Sequence, residues 1–186
     1  FIGIGLVSKE IERKSIYTII AKPISRHQFL LGKYFGLLIT LLLNIFIMTI
    51  SQMLMMYLNK ASITLIYFQA IIFIFFELAF ITAIAILFST FTTTTLSAIL
   101  TLFLFIIGHL TKYLEFFVKK SKNEFIKGFF KGLYYFLPNL ENFNLKGYVT
   151  YNINVEPSYF FFAILYGVLY ISAILTLAII IFSRRD

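Results

Sequence analysis

Residues 34–58 read YFGLLITLLLNIFIMTISQMLMMYL, twenty-five positions without one charged side chain. Coiled at 1.5 Å per residue, the run is about 37 Å long, enough to cross a hydrocarbon layer of about 30 Å with some tilt. Only a helix satisfies every backbone N–H and C=O within a single segment where water is missing. The run therefore predicts a transmembrane helix, and with it a protein whose solvent is lipid. Composition agrees. Of 186 residues, 60% are hydrophobic and 13% charged, against about half and about a quarter in soluble domains, and the mean hydropathy is +0.92.

Outward from this run the pattern repeats. Residues 64–88 form a second apolar stretch with Glu77 near its middle, residues 95–111 a third, and residues 158–183 a fourth, closed by Arg184 and Arg185. The apolar heart of the third, residues 96–110, reaches only about 22 Å. The hydroxyl-rich turn STFTTTT (residues 89–95) is expected to lengthen it at one end and residues 111–113 at the other. Residues 1–7, FIGIGLV, are an apolar stub that stops at Ser8 and read as the end of a truncated transmembrane helix. They lack the basic start and the apolar stretch of about 7 to 15 residues of a signal peptide. The fold class expected is all-α: a polytopic transmembrane helical bundle, one domain over residues 1–186, with four full spans plus the end of a truncated one.

Two polar segments lie between the spans. Residues 8–33 hold six of the sixteen basic residues and must sit outside the hydrocarbon. Residues 112–157 hold seven, and there Leu114, Phe117, Val118, Phe125, Phe129, Leu133 and Phe136 recur at helical spacing between lysines. That is the pattern of a helix lying in the headgroup plane. Pro138 ends it, and residues 139–154, rich in Asn, Tyr and Gly, read as an ordered loop with little regular structure. Lysine and arginine usually mark the cytoplasmic side, but here eight basic residues on one side face eight on the other, so charge leaves orientation open. The net charge of +8 serves topology and anionic headgroups in such a protein, and no nucleic-acid partner is expected. The chain has no cysteine, which excludes disulfides, thiol catalysis and thiolate metal sites.

The segment before the first full span carries the most specific signal: EIERKSIYTIIAKPISRHQFLLGKYFG, residues 10–36. Residues 9–21 form an amphipathic helix, with Ile16, Ile19 and Ile20 on one side and Glu10, Glu12, Arg13 and Lys14 crowding its first turns. Pro23 pushes Lys22 out of the helical region and breaks it. Ser25 and Gln28 then have the spacing of a capping box, which starts a new helix running straight into the span. The product is a helix, an elbow and a second helix entering the membrane.

This string resembles the cytoplasmic segment after the second transmembrane helix of ABC-2 type permeases, especially those grouped with copper-enzyme maturation permeases. The matching positions include Glu10, Glu12, Arg13, Tyr17, the Ala21-Lys22-Pro23 step, Ser25, Arg26, Gly32, Lys33 and Gly36. FELAFITAIAILFSTFTTTTLSAILTLFLFIIGHL, residues 76–110, is similar to the fourth and fifth helices of the same family, with Glu77, Ser89, Gly108 and His109 at family positions. LPNLENFNL, residues 137–145, is similar to the segment before their last helix. The family has six spans, and this chain lacks the first and nearly all of the second.

The resemblance implies a permease subunit of an exporter in the cell membrane, working as a homodimer or a heterodimer with another permease. It also implies a separate ABC ATPase as partner. Residues 8–33 become a cytosolic coupling segment that docks on that ATPase, with Glu10, Glu12, Arg13, Lys14, Tyr17, Pro23, Ser25 and Arg26 as coupling residues, and residues 112–157 lie outside. ATP and Mg would be held by the partner. No cofactor or metal is expected on this chain itself. Its Gly32-Lys33 pair fails as a phosphate loop, because His27 stands where the earlier glycine is needed and Tyr34 where Ser or Thr is needed.

Three intramembrane polar residues remain: Gln69, Glu77 and His109. A carboxylate at mid-bilayer costs on the order of 3 kcal/mol on insertion scales and is usually functional or paired. Glu77 reads equally as a hydrogen-bonded packing group and as part of a transport path, with Gln69 on a similar helical face. If the third span runs antiparallel to the second, His109 falls near a membrane face and Glu77 near mid-depth, too far apart to share a proton or a metal. That leaves a membrane-embedded enzyme disfavoured. A proton-coupled carrier using Glu77 is the alternative function, although no internal repeat or broken-helix pair of the kind found in carriers is present.

Overall fold

The computed structural model describes residues 25–60, 64–111, 124, 127–128, 131–132, 137–150, 153 and 155–184. The described residues contain no strand, and their helices with described bounds are α1 (Arg26–Leu58), α2 (Leu65–Ser89), α3 (Thr94–His109), α4 (Lys146–Thr150) and α5 (Pro157–Ser183), with a 3-10 turn at Leu140–Phe143 before α4. Three of these, α1, α2 and α5, are long and apolar enough to cross a membrane, and α3 is a shorter apolar helix.

α1 starts where Ser25 and Gln28 place it. Ser25 is extended, at φ −69° and ψ 148°, and its amide donates to Gln28 Oε1 at 3.2 Å. The helix begins at Arg26, eight residues ahead of the apolar run, so Lys33 rides on its third turn rather than in a separate segment. With 33 residues it is about 50 Å long, and its first turns extend past any hydrocarbon layer of about 30 Å. It stops at Asn59, whose side-chain amide donates back to Met55 O at 2.8 Å, followed by Lys60 in the left-handed region at φ 52°.

α2 is the centre of the bundle and packs on α1, α3, α5, the 3-10 turn and α4. Its second half carries Ala79, Ala83 and Ala85, all buried, and small residues let helix backbones approach closely in a membrane. Tyr34 Oη donates to Ala79 O at 3.3 Å and Ser97 Oγ to Ala85 O at 3.2 Å. At the end of α2 the hydroxyls of Ser89, Thr90 and Thr92 each donate to a carbonyl of the last turn at 2.7 Å. They fill acceptors that a helix end leaves open.

α3 runs back antiparallel to α2 and is only 16 residues long, about 24 Å. α3 ends at His109, with Leu110 as its cap, short of the expected extension at residue 111, and residues 112–113 lie outside the described residues. The space beyond its end is filled by the stretch around the 3-10 turn. Leu140 is buried against Gly108, and Phe143 is buried among Phe73, Phe80 and Tyr166, with ring centroids 5.9, 6.4 and 6.4 Å away. Residues 139–145, expected as part of an ordered loop with little regular structure, instead carry the 3-10 turn and pack into the bundle. Leu140, Phe143, Leu145 and Val155 belong to the main apolar cluster of the bundle.

Of the expected amphipathic helix, only Glu124, Lys127, Gly128, Lys131 and Gly132 are described, all helical and exposed. Their spacing of three or four puts them on one face, the polar side of the expected helix. The apolar positions between them lie outside the described residues, as do residues 1–24.

Two glycines make the inward fold of residues 137–145 fit. A Cβ on Gly108 would stand 2.7 Å from Leu140 Cδ1 and 3.2 Å from Pro138 O, and one on Gly167 would stand 2.9 Å from Phe143 Cζ. Leu140 and Phe143 are fully buried and have no room to retreat. Gly108→Ala should therefore destabilise the bundle by about 1 to 3 kcal/mol through overpacking. Gly36→Ala, where nothing lies within 4 Å, should not. Thermal unfolding of the detergent-solubilised variants checks this difference.

Candidate functional site

Glu77 sits twelve residues before the end of α2 and His109 fifteen residues after the start of α3. Measured from the hairpin that joins the two helices, these are rises of about 18 and 22 Å, so the side chains arrive at similar depth. His109 Nε2 lies 3.2 Å from Glu77 Oε1. This overturns the expectation that the two are too far apart. That expectation took α3 to be as deep as a full span, whereas α3 ends part-way along α2, and its last residue is level with the middle of its neighbour.

Both side chains are mostly shielded, at 24% exposure for His109 and 17% for Glu77. His109 Nδ1 is 3.0 Å from Phe105 O. A carbonyl oxygen only accepts, so Nδ1 carries a hydrogen. The Nε2–Oε1 contact then holds one further proton, either on the imidazole, giving an imidazolium facing a carboxylate, or on the carboxyl group, giving a neutral pair. Both arrangements contain the same number of protons and no net charge. That is how a carboxylate can sit at this depth without the full penalty of a lone charge. No group of three or more His, Cys, Asp or Glu side chains among the described residues could hold a metal ion.

Gln69 is not drawn into this pair. Eight residues away along α2, its Oε1 is buried with no hydrogen-bond partner among the described residues.

Above the end of α3 lies a second polar layer. Thr111 Oγ1 is within reach of Gly108 O at 3.0 Å and Asn139 Oδ1 at 2.8 Å. Asn139 Oδ1 also accepts from the Glu141 amide at 3.1 Å, and the Asn139 amide donates to Tyr166 Oη at 2.9 Å. Asn144 Nδ2 donates to the Glu141 carboxylate at 3.1 and 3.2 Å, and Tyr159 Oη donates to Asn142 O at 3.0 Å. Irregular backbone at membrane depth is tolerated only when protein groups satisfy it, and these side chains do so. Asn139, Tyr159 and Tyr166 were not singled out from the sequence. The Pro-Asn step in LPNLENFNL was the available signal.

A cavity of about 570 Å³ opens between α1, α2 and residues 143–149, with Glu77 and Asn144 on its wall. Across it, near the loop that joins the two helices, Tyr67 Oη donates to Gln52 Oε1 at 3.0 Å.

At the other end of the bundle, the coupling residues divide. Ser25 caps α1, and its hydroxyl lies 3.0 Å from His27 Nε2. Arg26 reaches the last turn of α5, where Nη1 donates to Ser183 O at 3.1 Å and Phe182 O at 3.4 Å. A cation there meets the negative end of the helix dipole. Phe29 stacks on Phe182 at 6.3 Å beside it. Glu10, Glu12, Arg13, Lys14, Tyr17 and Pro23 lie outside the described residues.

Replacing Glu77 by Gln should be tolerated better than by Leu. An amide oxygen still faces His109 Nε2, whereas Leu leaves the imidazole unpaired, at about 1 to 3 kcal/mol. Thermal melting of the two variants in detergent should rank them in that order.

Comparison with known proteins agrees with this architecture. A family model described as ABC-2 family transporter protein matches residues 1–186. Searches of curated proteins and of solved structures returned no match. Because the match covers the whole sequence and the bundle is helical with spans of membrane length, the chain belongs to the ABC-2 family of transporter proteins and is an integral membrane permease subunit.

Proposed function

We propose that this chain couples ATP hydrolysis by separate ATPase subunits to export across the cell membrane, working as a dimer of permeases. The ATP and Mg belong to the partner, and this chain contributes the path and the mechanical link. The observation that carries this reading is the junction at the start of α1. There the Ser25–Gln28 cap fixes the entry of the chain into the helix, and Arg26 ties that entry to the last carbonyls of α5. A push delivered at Ser25 would arrive at two membrane helices at once. Within the family, the elbow string resembles that of the permeases grouped with copper-enzyme maturation.

The Glu77–His109 pair favours one second reading, a proton-coupled carrier, because a net-neutral pair with one shared proton can load and release it. The two readings part on Glu77→Gln. An exporter driven by ATP keeps transport in that variant, and a proton carrier loses it while assembling normally.

Two experiments test the main reading. Reversing Glu12 and Arg13 together should reduce co-purification with the ATPase and abolish substrate-stimulated ATP hydrolysis while the permease remains inserted. Both are changed because an exposed ion pair is worth only about 0 to 1 kcal/mol. Ser25→Ala, at about 0.5 to 2 kcal/mol of local helix stability, should weaken stimulation more than co-purification. Intact coupling in the double reversal would reduce the elbow to an interfacial anchor. Orientation is checked separately. A single cysteine at Asn123 should react with an impermeant thiol reagent added outside, and one at Lys14 should not.

A further inference from the structure

We propose that α1 pairs with α1 of a second copy of this chain along the face that carries Thr40, Asn44, Ile47 and Ser51, with the two Asn44 side chains hydrogen-bonded to each other across the contact. Asn44 itself points to a partner. It stands two residues from the middle of the uncharged run 34–58, about 3 Å from mid-depth, and it is exposed on the surface of the bundle. A side-chain amide has two N–H donors and an acceptor oxygen. Asn44 donates one N–H to Thr40 O at 2.9 Å, and among the described residues its other N–H and its Oδ1 have no partner. At this depth no water takes the place of one. The hydroxyls on such surfaces pose no equal problem, since Thr40, Ser172 and Thr176 each donate to a carbonyl four residues earlier.

A second copy is the occupant that this chemistry selects. Copies of one chain insert the same way round, so their α1 helices run parallel and Asn44 meets Asn44 at the same depth. The unused donor and the unused acceptor are on one side chain, so two of them related by a twofold axis satisfy each other, as a symmetric contact requires. Amide side chains join helices in membranes in this way. The surroundings let the helices meet along a line. Thr40, Asn44, Ile47, Ser51, Leu54 and Leu58 follow at alternate steps of four and three residues, the spacing of a left-handed helix pair in which one polar position sets the register. All six are exposed. Their stripe is turned by about 100° from Leu30 and Tyr34, the positions by which α1 is buried against its own bundle. The contact gives the proposed permease dimer a surface and in that sense rests on that reading, though it needs no ATPase to form.

The chain has no cysteine, so a single introduced thiol reports one position. In the full chain in phosphatidylcholine liposomes, oxidation with copper phenanthroline should link Ile47→Cys into a disulfide dimer about fivefold more than Leu42→Cys. The two positions are equally exposed, at 56% and 57%. Leu42, two residues from Asn44, faces nearly the opposite way and reports chance collisions. Adding Asn44→Leu to Ile47→Cys should lower the linked fraction to that of Leu42→Cys, whereas Asn44→Gln, which keeps a donor and an acceptor, should retain it. Leucine is favourable at a lipid-facing position, so this variant reads association rather than folding. Equal linking of Ile47→Cys and Leu42→Cys, or a link that Asn44→Leu leaves undiminished, overturns the proposal. So does a count of one chain per complex by single-molecule photobleaching, which would assign Asn44 to a different helix. A count of two without the preference for Ile47 keeps the permease dimer and removes this surface. Linking at Ile47 in a chain that never co-purifies with an ATPase keeps the surface and removes the exporter reading alone.

Discussion

A helix that ends inside a membrane leaves carbonyls open where no water can reach them, and the end of α3 at His109 imposes that problem on the rest of this bundle. The answer is a second stretch of chain. Leu140 and Phe143 fill the volume that a longer α3 would occupy, Gly108 and Gly167 make room for them, and Thr111, Asn139 and Tyr166 satisfy the backbone that comes with them. The same early ending sets the depth of His109 and so creates its contact with Glu77. One short helix thus decides both the packing and the polar chemistry of this half of the molecule.

The spans were legible because crossing lipid requires length and apolarity together, and both can be counted along residues 34–58, 64–88 and 158–183. The start of α1 was legible because a capping box is a local motif with its own hydrogen bonds. The pairing of Glu77 with His109 was not. It depends on how far α3 goes before stopping, and the space beside that stop is taken by Leu140 and Pro138, some thirty residues away in sequence. The burial of residues 139–145 was not legible for a related reason: composition rich in Asn describes what a loop is made of, and burial depends on whether a hole exists for its Leu and Phe.

The two apolar clusters divide the labour. One gathers Phe73, Phe80, Leu140 and Phe143 around α2 and α5, while the other joins Leu30 and Tyr34 of α1 to Ala83, Ile86, Ala178 and Phe182. Only the second includes α1. That helix therefore has its buried apolar contacts near one end, with the Tyr67–Gln52 bond towards the other, and the cavity beside Glu77 lies between it and α2.

With such an attachment, a force applied at the start of α1 would act on it as on a lever. With Tyr34 bonded to Ala79 as its fulcrum, the arm from Arg26 to Tyr34 measures about 12 Å and the arm from Tyr34 to Leu58 about 36 Å. A rigid rod tilting at that point turns a displacement of about 1 Å beside Arg26 into about 3 Å beside Leu58, in the opposite direction. The bond between Tyr67 and Gln52 lies on the long arm, where movement is amplified, while Arg26 and its carbonyl partners lie on the short arm, where force is.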